Sequence, residues 1–319
     1  MTGATSPVGG KDYPRTLGEF DCFFPSETAC LEYLGRVRWP RGFRCPACGG
    51  RATWPTTRGQ RRCVACQRQT SVTAGTIFEG TRKPLRLWFQ AMWFVTSQKL
   101  GGSALGLQRV LGLGSYQTAW TWLHKMRRAM VRPGRDHLTG CVEVDETYLG
   151  GPEEGVSGRE TVKKSIVAIA AEERGEGMGR IRLRRLPDVS SASLGSFVED
   201  VVLPGAEIHT DGWAGYAGLA EKGYGHRVTN IRRSEMLAHE LLPRVHRVAA
   251  LLKRWILGTH QGSVSDKHLD YYLDEFTFRF NRRAANARGL LFHRLVQQAV
   301  DSGAFPYRTI VGPRRRKSR

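Results

Sequence analysis

Val142-Glu143-Val144-Asp145-Glu146-Thr147-Tyr148 and Ile208-His209-Thr210-Asp211-Gly212-Trp213 are the two stretches that decide the fold. Each sets a β-branched apolar segment before an aspartate and follows it closely with turn-forming and aromatic residues. Val142 and Val144 alternate with Cys141, Glu143 and Asp145, the period-two pattern of a strand. Between Asp145 and Asp211 lie 65 residues, and 34 more separate Asp211 from His246. Carboxylates that distant in sequence meet only if a fold brings their strands side by side. A single strand-end aspartate often just caps a turn, and Asp-Gly is a common turn dipeptide. The weight therefore rests on the pair.

The neighbouring segments extend the pattern. Ser165–Ala171 is a near-continuous apolar run, read as a central strand. Ile181 and Leu183 alternate with arginines, a strand with one wet face. Glu172–Gly177 is a polar hairpin turn between them. Ser190 or Ser191 caps a helix carrying Leu194, Phe197, Val198 and Val201, which Pro204-Gly205 ends. Ala206–Thr210 reads as a fourth strand, His226–Ile231 as a fifth, and long helices are expected over about 240–257 and 265–282. Three strands in a meander, a helix, a strand, a connection, a strand and helices is the order of an RNase H-like fold with a mixed five-stranded sheet. Its first strand is central, and its fourth lies beside it and parallel. Acids at those two strand ends would repel unless divalent cations neutralise them. Mg²⁺ prefers oxygen ligands and keeps waters that phosphate oxygens can replace. Two such ions about 4 Å apart would activate an attacking water or 3′-hydroxyl and stabilise the leaving oxygen.

The cysteines and the charge point the same way. Cys45-Pro-Ala-Cys48 and Cys63-Val-Ala-Cys66 lie 14 residues apart, the spacing of two knuckles offering four thiolates to one structural Zn²⁺. A disulfide framework is the rival reading and suits a secreted protein. Met1–Thr5 lacks a basic segment followed by an apolar one, so no secretory signal is expected. No apolar run approaches the ~20 residues of a membrane helix. The chain is thus expected in the cytoplasm, associated with the nucleoid, with no membrane partner. Its 319 residues include 49 Lys plus Arg against 29 Asp plus Glu, a net charge of +20 that favours a polyanion, nucleic acid first. Pro84 opens an apolar helix. Ser103 then caps one over Ala104–Leu111, and Ser115, after a Gly112-Leu113-Gly114 turn, caps another ending near Arg127 and Arg128. That spacing is helix-turn-helix-like, with the two arginines as DNA-contact candidates. The divisions expected are a lead-in over 1–35, a zinc ribbon over 36–72, a helix-turn-helix-like region over 73–135, a catalytic domain over 136–290 and a basic tail over 291–319, an α+β and α/β multidomain chain.

Together the double Cys-x-x-Cys, Val144–Gly151, Thr210–Tyr216, Leu252–Trp255, Gly258–His260 and Asp274–Arg283 resemble the insertion-sequence transposases of the DDE superfamily, from the family with an N-terminal zinc ribbon and an RNase H-like catalytic domain. The resemblance runs from about residue 20 to 290. It implies that Asp145 and Asp211 ligate catalytic metal and that the third ligand stands seven residues before a lysine. Here His246 precedes Lys253 by seven, where most of the superfamily has glutamate. Imidazole adds no negative charge and is softer than carboxylate, relatively favouring Mn²⁺ over Mg²⁺. Glu240 or Glu275 is the rival source of the third acid. Lys253, with Arg254 beside it, would reach a DNA phosphate. Glu275, Arg279 and Arg282 form a further implied catalytic set, or an ordinary helical salt bridge. The implied partners are double-stranded DNA, both transposon ends and target, and further copies of the chain. A zinc-ribbon regulator without catalysis and an RNase H-like nuclease that cuts without joining remain the alternatives.

Overall fold

A computed structural model describes residues 6–56, 60–132, 134–151, 163–230, 237–262 and 264–312. The expected turn at Thr57-Arg58-Gly59 and the basic run Pro313–Arg319 lie outside the described residues. In chain order the elements are α1 (Leu17–Phe23), α2 (Glu27–Arg38), β1 (Thr53–Pro55), β2 (Arg61–Cys63), β3 (Gln69–Thr70), α3 (Leu85–Ser97), α4 (Ala104–Leu111), α5 (Tyr116–Ala129), β4 (Cys141–Leu149), β5 (Ser165–Arg174), β6 (Gly177–Leu186), α6 (Ser191–Val201), β7 (Glu207–Thr210), β8 (Gly225–Val228), α7 (Ala238–Leu241), α8 (Pro243–His260), α9 (Leu269–Phe280), α10 (Arg288–Asp301) and α11 (Tyr307–Val311). They divide into two compact units, one of residues 1–132 with 285–319 and one of 133–284.

In the first unit, serines start helices as their hydroxyls dictate. Ser26 Oγ accepts from the Ala29 N–H at 3.2 Å and Ser103 Oγ from the Gly106 N–H at 3.0 Å. Gly112, at φ +60, closes α4 in the left-handed region that favours glycine. The core is aromatic. Phe20, Phe24, Tyr33, Phe89 and Phe292 are buried, with edge-on contacts such as Phe24–Phe89 at 4.9 Å between ring centres. Phe292 belongs to α10, whose Leu291, Leu295, Val296 and Ala299 are also buried. Residues 291–312 are therefore folded into the first unit and are not a tail. A helical apolar stripe stood in the sequence there, beside basic residues that drew the eye. Gly289 is required at the start of α10, because a Cβ would fall 1.6 Å from the Pro14 carbonyl oxygen.

The second unit holds a five-stranded sheet in the order β6-β5-β4-β7-β8. β4–β5 and β5–β6 pair antiparallel, and β4–β7 and β7–β8 pair parallel. This is the RNase H-like order, with the first strand of the unit at its centre. Helices cover both faces. Val142, Val144, Ala168, Ala170 and Ile208 pack with Leu194, Phe197 and Val198 of α6. Val167, Ile169, Ala171, Ile181 and Leu183 pack with α8 and α9. The edge strand β6 has its outer backbone groups met by side chains: Asn281 accepts from the Ile181 N–H at 2.7 Å and donates to the Ile181 carbonyl at 3.1 Å. That pairing blunts an edge that would otherwise invite another strand. The helix expected from 240 is split, because Pro243 has no N–H to continue α7 and instead opens α8 at its first turn.

Candidate active site

Asp145 sits in β4, paired with Ile169, while Glu143 pairs with Ala171 and Thr147 with Val167. Those partners all belong to the layer under α8 and α9, so the side chains of Glu143, Asp145 and Thr147 project to that face. β4 and β7 keep a constant offset of 66 residues from Cys141↔Glu207 to Glu143↔His209, and the same offset separates Asp145 from Asp211. The two aspartates thus occupy matched positions on adjacent parallel strands, Asp211 just beyond the end of β7. There the chain turns at once. Asp211 Oδ1 accepts from the Trp213 N–H at 2.9 Å, and Gly212 adopts φ +81. The hydroxyl of Tyr216 donates to Glu146 at 3.0 Å. Its ionisation is pushed well above the usual tyrosine range by burial first, then by the charges of Glu146, Asp145 and Asp211. One buried hydroxyl therefore feels both aspartates.

His246 lies in the first turn of α8, its Nε2 3.8 Å from Asp145 Oδ2. What brings it there is Glu143, two residues before Asp145 and fully buried. Its Oε2 accepts from the Arg244 and Val245 N–H groups at 2.8 and 3.0 Å, and its Oε1 from the Arg244 guanidinium at 2.8 Å. The residue before α8, Leu242, provides no side-chain cap. A strand carboxylate does so instead, satisfying two orphan donors and the positive end of the helix. The alternation read in β4 gave Glu143 no role of its own. Both faces are covered in fact, and the only signal was an acid in the middle of a strand expected to be central.

Among the described residues, two sets of three or more donors gather within 4.8 Å: the four cysteines, and Glu143, Glu173 and His209. Asp145, Asp211 and His246 are not one of these sets. The carboxylates of the second set already meet cations. Arg244 lies 3.2 Å from Glu173 as well as 2.8 Å from Glu143, and Arg227 lies 3.2 Å from Glu173 and 3.1 Å from His209 Nδ1. Burial, then the Arg227 charge, hold His209 below its usual proton affinity. This set is an ionic clasp under the α8 start, with its negative charge spent.

The remaining expected residues separate into exposed and internal groups. Lys253 and Arg254 are exposed on α8, two turns or ~10.5 Å beyond His246. Glu275 is fully buried and its Oε1 accepts from Arg279 at 2.7 and 2.9 Å, an internal brace of α9. Arg282 stacks over the Phe278 ring at 4.1 Å. Glu240 is exposed, its carboxylate accepting from the Leu237 N–H. In the first unit, Arg128 is exposed and lies 4.3 Å over Phe305, whereas Arg127 is 1% exposed. Arg127 is thus inside the fold, against the expectation of a DNA-facing side chain. Adjacent residues of a helix point to different faces, and the buried one was chosen along with the exposed one.

The ribbon is the antiparallel sheet β1-β2-β3 with two matching knuckles. Cys45 and Cys63 each accept from the N–H four residues on, Gly49 and Gln67, which take φ +74 and +59. Each donates its own N–H to the carbonyl five residues on, Gly50 and Arg68. The sulfurs approach at 3.6 Å for Cys45–Cys66 and 3.5 Å for Cys48–Cys63. A Zn²⁺ at ~2.3 Å from four sulfurs sets edges of ~3.8 Å, so the donor set fits. Backbone N–H groups of Cys48 and Ala47 hold the Cys45 thiol down, while hydrogen bonds with the Cys66 and Cys63 sulfurs hold Cys48 up, so the four sulfurs share their protons as a set.

The chain thus combines a four-cysteine ribbon with an RNase H-like sheet that carries aspartates at matched positions of its first and fourth strands. Residues 137–281 match the ISXO2-like transposase domain and residues 25–69 the transposase zinc-ribbon domain. The chain belongs to the insertion-sequence transposases built from these two domains. It is similar to an uncharacterised protein in transposable element ISH50 of Halobacterium salinarum, 34% identical over 143 residues, which are 43% of this chain and 46% of that relative. The alignment thus spans about half of the relative's length. No solved structure matches.

Proposed function

We propose that this chain is a DNA transposase that binds the terminal inverted repeats of its element, cleaves their 3′ ends and joins them to target DNA. The observation behind this reading is the approach of His246 to Asp145 at 3.8 Å, with Asp211 at the matched position on the next strand. Asp145, Asp211 and His246 would hold the divalent metal, Mg²⁺ or Mn²⁺, which when bound activates a water or 3′-hydroxyl and stabilises the leaving oxygen. The protein's own part is orientation. Glu143 fixes the α8 start, and with it His246 against Asp145. Lys253 and Arg254 offer exposed cations to phosphates on the same helix. The Cys45–Cys66 ribbon takes structural zinc, and its arginines with those of the first unit contact duplex DNA. Two ends must be held together, so the chain works as an oligomer, on the nucleoid in the cytoplasm.

The test mixes the zinc-loaded chain with labelled duplexes carrying the DNA that flanks its gene, supercoiled plasmid, and Mg²⁺ or Mn²⁺. Joined products are expected, with more activity in Mn²⁺. His246→Ala is expected to lower joining strongly and His246→Glu to restore part of it. Metal-dependent cuts without joined products would make the chain a nuclease. Binding with neither would make it a regulator.

A further inference from the structure

Lys125 of α5 is 9% exposed. Its Nζ donates to the Ile77 carbonyl at 3.1 Å and lies 5.9 Å from the centre of the Trp88 ring. Among the described residues no carboxylate forms an ion pair with it. One of its three N–H donors is used, and burial lowers its proton affinity more than the nearby Glu79 charge restores it. The same ammonium lines an open groove of about 400 Å³ at the start of α5. Arg82 and Lys83 stand on the groove's rim, exposed, and Thr81, Ser115 and Thr118 add hydroxyls. No lining residue is acidic. Ser115 makes no side-chain cap for α5, a 14-residue helix, and of its first turn the Thr118 N–H already donates to the Ser115 carbonyl at 3.2 Å, so the N–H groups before it are the ones a further acceptor could take. The floor is fixed: Trp88 and Trp122 stack at 4.0 Å, and Trp88 Nε1 donates to Thr81 at 2.9 Å.

We infer that this groove is a phosphate-binding subsite, and that its occupant in the DNA-binding reading is a backbone phosphate of the duplex. Three cations, several hydroxyls and a helix start line one groove with room for a phosphate, and a tetrahedral oxyanion can accept from several such donors together. The subsite also says which residues of the helical region contact DNA. Lys125, Arg82 and Lys83 face the groove, while Arg127 points into the core. The duplex part of the inference rests on the DNA-binding reading, and the phosphate part does not.

Two variants test it on the full zinc-loaded chain: Lys125→Met, and the double exposed change Arg82→Gln with Lys83→Gln, which leaves the buried contact to Ile77 untouched. Inorganic phosphate is added against chloride of equal ionic strength, and the unfolding midpoint is read. Affinity for a fluorescent duplex is read over a range of KCl. Phosphate is expected to raise the midpoint of the unaltered chain and to do so less in both variants. The slope of log affinity against log salt is expected to shallow by about one for a lost phosphate contact. Phosphate protection with unchanged duplex binding would assign the site to free phosphate. Protection with no duplex binding by the unaltered chain would remove the DNA reading and leave the subsite standing. Equal response to phosphate and an equal salt slope in the folded double variant would overturn the subsite.

Discussion

Glu143 does two things with one carboxylate: it ends the positive pole of α8 and pairs with Arg244, with its side chain 1% exposed. A buried ion pair adds little over an apolar replacement, but removing one partner strands the other, at ~3 kcal/mol or more. Glu143→Gln keeps the shape and loses the charge. It is expected to lower unfolding stability by about 3 kcal/mol in a urea titration. It should also raise the Mn²⁺ concentration needed for half-maximal joining, because α8 carries His246. A variant with full stability and an unchanged metal requirement would refute the positioning role. The sequence singled out Asp145 and Asp211 by their matching flanks, and the family resemblance added His246. Glu143 escaped because its burial depends on helices far along the chain, which no local pattern reports.

The ribbon is the element with least protein core of its own. Phe43, Cys45 and Cys63 are its buried apolar residues, with Trp39 against them. So small a cluster cannot offset the entropy of ordering the knuckles, and metal must close it. Removing zinc with a chelator, or Cys63→Ser, is expected to abolish amide protection over about residues 43–70 while residues 137–281 keep theirs. Hydrogen exchange read by mass spectrometry measures it, and protection retained without metal would contradict it. This element was readable in advance because two knuckles at that spacing favour one tetrahedral metal over the rival disulfide framework. Of the serines read as caps, Ser103 and Ser190 accept from the N–H three residues on, whereas Ser115 starts α5 without a side-chain cap. α10 was not. Its stripe of Leu291, Leu295 and Val296 pairs with aromatic residues near the chain's start, and the basic residues beside it suggested a solvated tail. Sheet order followed from element order, whereas the split between α7 and α8 turned on one proline.

Over the whole molecule, the chain's beginning and end close one unit. Tyr33 of α2 and His293 of α10 meet through a 2.7 Å hydrogen bond across 260 residues. Burial, then Arg294, push the imidazole down to about 4, so the neutral ring accepts a hydrogen bond from the tyrosine hydroxyl. An unfolded histidine binds a proton near 6.5. Between those values the unfolded chain holds more protons than the folded one. The contribution of this pair is therefore complete above about 6.5 and is lost as pH falls towards about 4. His293→Gln is expected to flatten the dependence of the unfolding midpoint on pH across that window. The net charge of +20 sets the partner at the same scale, and Lys253 and Arg254 put two exposed cations on the helix that carries His246. Manganese binding by electron paramagnetic resonance, on the zinc-loaded chain, tests the active-site account most directly. Asp145→Asn, Asp211→Asn and His246→Ala should each weaken or abolish bound Mn²⁺, while Glu173→Gln should leave it in place. Mn²⁺ held undiminished by the Asp145 and Asp211 variants, and lost from Glu173→Gln, would move the metal to the arginine-clasped set and contradict the account.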